Sequence, residues 1–312
     1  MELYQLRSFV AVAEAGHLTR ASEKLHLSQP AVSAHIKTLE DEFGLALFER
    51  TPSGMVVTAA GERLFTDAGR ILAAAQAMRS VARALRGEIA GKVRVGTSSD
   101  PGFIRVGDFL SATFARHPLL QLELHQEVTG TAFAKVLDGA LDASFYYGEL
   151  ANPAVGGLRL RASTYRVALP AAWSSRVERA SWNELALQPW IITPPISSHH
   201  KLVRALFDKH GIQPTKIIEA DQETVIANLV VSGVGLSLIR EDLALAKQAA
   251  GEVCLWPGVR LDSTLWFIYL LARGDDPVIG ALLTVLRDIW QLIEPDVAEH
   301  SEASRVSRRV LD

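Results

Sequence analysis

The sequence predicts an α+β multidomain chain: a winged helix-turn-helix at the N-terminus, one long helix, and a C-terminal α/β region. Three observations carry this. Residues Leu18 to Gly61 order a short helix, a tight turn, a second helix and an apolar hairpin. The segment that follows repeats apolar residues at alternating steps of four and three. Beyond Gly91, short apolar runs alternate with amphipathic helical patterns, which signals an α/β arrangement.

The helix pair is read first. Leu18 to Leu25 forms the first helix, and His26-Leu27-Ser28 the turn, with Ser28 as N-cap of the second helix. Pro30 falls in the first turn, where a missing N–H costs nothing. Val32, Ile36 and Leu39 recur at i, i+4 and i+7 and face the core. At about 100° per residue, the opposite face centres on Pro30, Ala34, Lys37 and Asp41. Ser33 and Thr38 flank that face, and Gln29 sits at its open end. Such side chains bond base edges or phosphates, the chemistry of a helix in a DNA major groove. For this helix alone, a plain solvated polar face is the alternative. The hairpin, with Pro52 and Gly54 at its tip, favours the DNA reading.

Charge does not add to that case. Residues 1–58 hold five basic side chains (Arg7, Arg20, Lys24, Lys37, Arg50) against seven acidic ones, a net of −2. DNA-binding domains are commonly basic. A weakly anchored domain needs several copies bound together, and the next segment supplies them. From Thr58 to about Ala90 there is no proline. Leu64, Ala68, Ile71, Ala75, Met78, Ala82, Leu85 and Ile89 make an a/d seam for helix pairing. At 1.5 Å per residue this helix is expected to run roughly 45 Å. A surface helix packed on its own chain is the alternative.

Composition narrows the function classes. With 312 residues, two or three globular units are expected, and the overall charge is −3. No apolar run approaches the ~20 residues of a membrane span, and no signal-peptide pattern opens the chain, so a cytoplasmic protein is expected. The one cysteine, Cys254, lies in an apolar strand and reads as a buried bystander. His199-His200 point apart and no set of ligands completes a metal site. No GxSxG, HExxH or phosphate-loop pattern occurs, so neither an enzyme nor a cofactor is implied.

In the C-terminal region, strands are expected at Lys92–Thr97, Leu120–Val128, Ala143–Tyr147, Tyr165–Leu169, Trp190–Thr193, Lys216–Glu219, Leu236–Ile239 and Thr264–Leu271. Helices are expected at Phe103–Arg116, Ala132–Leu137, His200–Lys209, Glu223–Ser232 and Val278–Ile293. The 295–312 tail mixes Ser, Glu and Arg and reads as disordered.

The chain resembles the LysR-type transcriptional regulators. The carrying residues are Leu6-Arg7-Ser8-Phe9, Leu18-Thr19-Arg20-Ala21-Ser22, Leu27-Ser28-Gln29-Pro30-Ala31-Val32-Ser33, Leu39-Glu40, Leu47-Phe48-Glu49-Arg50 and Thr58-Ala59-Ala60-Gly61. The resemblance implies a DNA-contacting set of Ser28, Gln29, Pro30, Ala31, Ser33, Ala34, Lys37 and Thr38, with Arg50 and Ser53 of the wing over the backbone and minor groove. Ala34 and Ser53 stand where many members carry a basic residue. It further implies a DNA-binding domain at 1–58, a dimerisation helix at 59–90, and a two-lobed periplasmic-binding-protein-like sensor at 91–294. Lobe one would be 92–163 with 265–294, and lobe two 164–263. Dimers would assemble to a homotetramer, with RNA polymerase as a partner if the protein activates.

A small effector would bind between the lobes, outside the carboxyl ends of the strands. The loops there offer Ser98, Ser99 and Asp100, then Thr129 and Thr131, then Ser197 and Ser198. Hydroxyls and free N–H groups at helix N-termini suit an anion, and simple capping of each helix by its own side chain is the alternative. Asp100 would repel an anion or attract a cation, or serve as a solvent-facing cap. Tyr146 and Tyr147 would favour a ring or a cation, or belong to the core. Two functions follow. One is a ligand-responsive transcription regulator. The other is a small-molecule binding or transport protein, which the missing signal peptide disfavours.

Overall fold

The computed structural model describes residues 1–52, 54–97, 100–177 and 180–292. Ser53, Ser98, Ser99 and the 295–312 tail, all singled out above, lie outside the described residues. The N-terminal unit consists of α1 (Leu3–Ala15), α2 (Leu18–Leu25), α3 (Gln29–Phe43) and the hairpin β1 (Phe48–Thr51) and β2 (Gly54–Val57). Leu6, Phe9, Val12, Ala21, Val32, Ile36, Leu39 and Leu47 form its core. Ser28 caps α3 by accepting from the Ala31 N–H, and Pro30 lies in the first turn. The wing is tied back to the α1–α2 turn, where the Met55 N–H donates to the Gly16 carbonyl at 2.7 Å. Gly54 has φ of 133°, and a Cβ there would stand 2.4 Å from the Gly16 carbonyl oxygen. Only glycine permits this close approach.

Next comes α4 (Ala59–Ala84), capped by Thr58 through the Gly61 N–H at 3.0 Å. The helix stops short of the expected residue 90, at a length of about 39 Å. Ile89, the last expected seam residue, packs instead into the core of the following domain. The seam therefore divides. Leu64 and Ala68 join the N-terminal core. Ile71, Met78, Ala82 and Leu85 are exposed, Met78 at 76% and Leu85 at 84%.

The C-terminal region contains β3 (Gly91–Thr97), α5 (Val106–Arg116), β4 (Leu120–Gln126), α6 (Thr129–Leu137), β5 (Ala143–Tyr147), β6 (Val155–Pro170), α7 (Ser174–Val177), α8 (Trp182–Ala186), β7 (Trp190–Ile192), α9 (Ser198–His210), β8 (Ile217–Glu219), α10 (Glu223–Val231), β9 (Ser237–Arg240), α11 (Glu241–Ala249), β10 (Val253–Leu270) and α12 (Pro277–Trp290). Six strands form one sheet in the order β4-β3-β5-β10-β6-β9. β3 pairs in parallel with β4 and β5, while β10 runs antiparallel to β5 and β6. β7 and β8 form a short parallel pair.

β6 and β10 are much longer than the runs expected for them. Gly156-Gly157, Ser163-Thr164, Pro257-Gly258 and Asp262-Ser263 read as breakers in a single strand. Cross-strand pairing carries the chain through them: Gly157 faces Ile268 and Ser163 faces Ser263. Register shifts between Leu255 and Arg260 take up Pro257-Gly258 as a bulge. The two strands thus run through two separate cores. Leu158, Leu160, Leu265 and Phe267 belong to one, with α5 and α12. Tyr165, Val167, Leu169, Trp256 and Val259 belong to the other, with α8 and α9. α7, α8 and α11 have no counterpart among the elements expected from the sequence. Cys254 is half-buried on β10, more accessible than the sequence implied.

A buried charge network stiffens the first lobe. Asp142, ahead of β5, accepts from the Arg94 backbone N–H at 2.7 Å and from Arg273 Nη1 at 2.5 Å. Arg273 also pairs with Asp276 at 2.6 Å, and Asp276 caps α12 through the Val278 N–H. α4 lies directly on this region. A Cβ on Gly69 would fall 1.6 Å from the Asp138 carbonyl oxygen, so helix and turn are in backbone contact. Burial alone would raise the Asp142 carboxyl. Arg94 and Arg273 outweigh it and hold the group below the usual carboxylate range. Its stabilising effect is therefore complete above the unfolded-state value near pH 4 and fades as pH falls through the lower folded value. Asp142→Asn should destabilise the sensor by about 3–5 kcal/mol at pH 7, because Arg94 and the buried Arg273 lose their shared carboxylate and Arg273 keeps Asp276 alone. Thermal melts from pH 7 downward should show the gap from wild type narrowing only below about pH 4. A gap independent of pH would contradict the charge assignment.

Candidate functional site

α3 presents the expected face. Ser28, Gln29, Pro30, Ala34, Lys37 and Thr38 are exposed, while Ala31 and Ser33 are half-buried. Val32, Ile36 and Leu39 are turned inward. Arg50 is exposed on the wing strand β1. Several acidic side chains are committed elsewhere. Glu40 accepts from the Leu47 N–H at 2.7 Å and the Phe48 N–H at 3.2 Å, tying the helix to the wing. Glu42 pairs with the amino terminus at 2.6 Å, and Glu14 with Lys24 at 2.6 Å. The net negative count of this domain is thus partly neutralised away from the exposed face of α3. Asp41 remains exposed at the C-terminal end of that face.

The second site is a cavity of about 310 Å³ between the two cores of the C-terminal region. Strand-to-helix loops from both lobes line it: Gln126, Glu127, Val128 and Thr129 on one side, Thr193, Ser197, Ser198 and His199 on the other. Asp221, Gln222, Glu223 and Ile226 close a third side, with Tyr147 and Tyr165 as aromatic wall. Thr129 does not cap its own helix. Its Oγ1 accepts the Ser198 N–H at 2.8 Å, so a lobe-one side chain caps the lobe-two helix α9. Ser197 caps α9 in the ordinary way, accepting from the His200 N–H at 3.0 Å. His199 donates from Nε2 to the Leu238 carbonyl, and His200 from Nδ1 to the Thr193 carbonyl, each at 2.8 Å. Burial pushes His199 down, so it stays neutral.

Beside this cavity lies a charge cluster that the sequence reading missed. Arg240, at the end of β9, is 2% exposed. It bonds Asp100 across the cleft at 2.5 Å, Glu223 at 2.9 Å and Asp242 at 2.6 Å. Its guanidinium carbon lies 3.7 Å from the centre of the Phe103 ring, and Phe103 stacks on Tyr147. Burial works against this charge, but Asp242 and Glu223 more than restore it, so Arg240 is raised further above its ordinary value. Burial also tends to raise Asp100; its bonds to the Phe103 N–H and Arg240 bring it below the usual carboxylate range. Glu223 is the reverse case. Burial keeps it above the usual range despite Arg240.

The expected effector residues therefore divide. Thr129, Tyr147, Ser197 and Ser198 line the cavity. Asp100 does not: it caps the Phe103 N–H at 3.0 Å and joins Arg240, so it is not a solvent-facing cap. Thr131 is absent from the lining. Tyr146 faces the other side of β5, against Phe133, with its hydroxyl donating to the Glu149 carbonyl. The two tyrosines separate because successive strand residues point to opposite faces. The loop before α6 was chosen for Thr129 and Thr131 without Glu127, and the loop before α10 follows the same strand-end rule, which could have found Glu127 and Asp221.

Comparison with known proteins matches both units of the chain. The profile described as "Bacterial regulatory helix-turn-helix protein, lysR family" matches residues 3–62. The profile described as "LysR substrate binding domain" matches residues 86–291. The transcriptional regulator BenM of Acinetobacter baylyi is 30% identical over 247 residues, covering 77% of this chain and 80% of its own. YofA of Bacillus subtilis is 28% identical over 294 residues, covering 94% and 99%. A full-length OxyR variant from Pseudomonas aeruginosa superposes with a TM-score of 0.68 at 24% identity, covering 92% and 95%. CbnR in complex with its target DNA superposes with a TM-score of 0.55 at 23% identity, covering 92% and 99%. No helix among the described residues is long and apolar enough to cross a membrane. The two profile matches and the likeness to BenM, over a helix-turn-helix unit and a two-lobed α/β domain, make this chain a member of the LysR family of DNA-binding transcriptional regulators with an effector-binding domain.

Proposed function

We propose that this regulator reads its operator through α3 and the wing, and that an effector in the inter-lobe cavity changes how it holds that DNA. Gln29 and Ser33 read base edges from the N-terminal half of α3. Ser28, Pro30, Ala31, Ala34 and Thr38 pack along the groove, and Lys37, Arg50 and Ser53 meet the backbone. The effector-binding set is Thr129, Tyr147, Ser197 and Ser198, with Ser98 and Ser99 as further candidates. One observation carries the sensing half of this reading: Thr129 of one lobe caps α9 of the other. A ligand seated there has different contacts in different lobe orientations, and only such a difference can shift an equilibrium.

The working assembly is a homodimer through α4, paired into a homotetramer in the cytoplasm, with RNA polymerase as a partner where the protein activates. The exposed strip of Ile71, Met78 and Leu85 supports the dimer. The domain limits follow the sequence reading: 1–58 for DNA, 59–90 for pairing and 91–294 for sensing. DNase footprinting on DNA upstream of its own gene tests the whole scheme. Absence of any protected site on that DNA or on a random genomic library would end it.

Three outcomes are expected, one for each unit. For pairing, Ile71→Asp with Met78→Asp should reduce the mass seen in sedimentation to that of a monomer and abolish DNA binding while the sensor stays folded; an unchanged mass would refute the seam. For DNA, Gln29→Ala or Ser33→Ala should weaken binding to the operator by about 1–3 kcal/mol and hardly alter binding to random DNA. Lys37→Ala and Arg50→Ala should instead weaken all sequences alike, with a shallow salt slope per domain; base-selective losses there would show misplaced contacts. For sensing, Thr129→Ala should leave DNA affinity near wild type without ligand yet remove the effector response, as read by footprinting with and without ligand.

A further inference from the structure

The inter-lobe cavity has a charge and a surface chemistry of its own. Its lining contains Glu127, Asp221 and Glu223 and, among the described residues, no lysine or arginine. Two cations stand behind that lining. Lys135 pairs with Glu127 at 2.5 Å. Arg240 is shared among Glu223, Asp100 and Asp242. Five carboxylates thus meet two cations. Arg161, 4.9 Å from the Phe103 ring centre, is the next guanidinium and lies exposed beyond it. Asp221 is exposed at the cavity and forms no ion pair among the described residues.

A second, independent feature faces the same space. Tyr165 is 6% exposed and lines the cavity, edge-on to His199. Its side chain makes no hydrogen bond with the described residues, although it lies near Glu223 and Tyr147. Burial drives its hydroxyl well above the usual phenol range, so it remains a neutral donor and acceptor. The Tyr165 side chain is buried and lines the cavity, and the cavity is where a partner for its hydroxyl can come from. Two N–H groups that could hold an anion at the start of α9 are already used. The Ser198 N–H at the start of α9 is taken by Thr129, and the His200 N–H by Ser197. Glu127 stands two residues before the first residue of α6 and opposes an anion at that helix end.

We propose that the effector of this regulator carries a cationic nitrogen, an amine or a guanidinium, held by Asp221 and Glu223 against the Tyr147 and Tyr165 rings. The inference rests on the cavity being the effector site. The protein already shows that this chemistry works at the spot, because Arg240 holds its guanidinium between carboxylates and the Phe103 face. Arg240 is shared among three carboxylates and Asp221 forms no ion pair among the described residues, so a second cation has partners to meet. An anionic ligand of the kind that helix N-termini attract would have to enter against three carboxylates.

Calorimetric titration of the full chain with agmatine, putrescine and L-arginine, and in parallel with benzoate and succinate, tests this. At least one of the three cations should bind with one site per chain, and neither anion should. Asp221→Lys, at an exposed position that folding does not need, should weaken that cation about tenfold or more by replacing attraction with repulsion. Gln222→Trp, which fills the cavity without altering its charge, should abolish binding. Silence from all three cations at about 10 mM, where even millimolar affinity is visible, overturns the proposal. So does binding of benzoate or succinate that Gln222→Trp removes; that result keeps the cavity as the effector site and reverses its charge class. Cation binding indifferent to both variants places the ligand elsewhere and removes the inter-lobe reading as well.

Discussion

The pairing of β6 with β10 is the constraint on which the sensing half of the molecule depends. Both strands pass through two hydrophobic cores, and their register is continuous from one to the other except at two irregular points. Side chains on either side of the crossing belong to different cores: Leu160 and Leu265 to one, Tyr165 and Val259 to the other. The lobes are therefore joined by hydrogen-bonded ladder, not by loose linkers. Relative motion is limited to twisting and bending of a two-stranded ribbon, with Ser163 and Ser263 at its middle. Small residues at that point leave room for such bending, and the cavity is the space that the ribbon holds open.

Across the cavity two polar ties supplement the ribbon. Thr129 caps α9, and Asp100 bonds Arg240. Both span the lobes and both lie at strand-to-helix loops, so a small displacement of one loop alters a contact on the other lobe. Buried ion pairs contribute little net stability, since desolvation offsets attraction. Their effect is directional. Arg240 cannot leave Asp100, Glu223 and Asp242 without exposing buried charge, and the arrangement that satisfies it defines one lobe orientation.

The N-terminal half is held together differently. Its core is apolar and its wing is fixed by hydrogen bonds, from the Leu47 and Phe48 N–H groups to the Glu40 carboxylate and from the Met55 N–H to the Gly16 carbonyl. These contacts set the angle between α3 and the wing, which decides whether both can meet one duplex. α4 then lies in backbone contact with the first lobe at Gly69 and Asp138. The helix that carries the exposed apolar strip is thereby joined to the sensor beside the Asp142 network, and a shift of that lobe bears directly on α4.

The sequence alone determined the order of units, the helix-turn-helix, the cap at Ser28, the inward face of α3 and the change to an α/β pattern beyond Gly91. These depend on local periodicity and on capping, which residues within one or two turns decide. It also located Thr129, Tyr147, Ser197 and Ser198, because strand ends and helix starts are local signals. Tertiary structure alone decided the rest. β6 and β10 ran through glycine and proline because partner strands supplied their hydrogen bonds. α4 ended at Ala84 because Ile89 found a place in the sensor core. Tyr146 left the cavity for the other face of β5. Arg240 gained its role from Asp100, 140 residues away in the chain, and such pairings leave no mark on local composition. The charge of the cavity belongs to the same class: Glu127, Asp221 and Glu223 are ordinary surface acids in the sequence, and folding alone brings them to face one space.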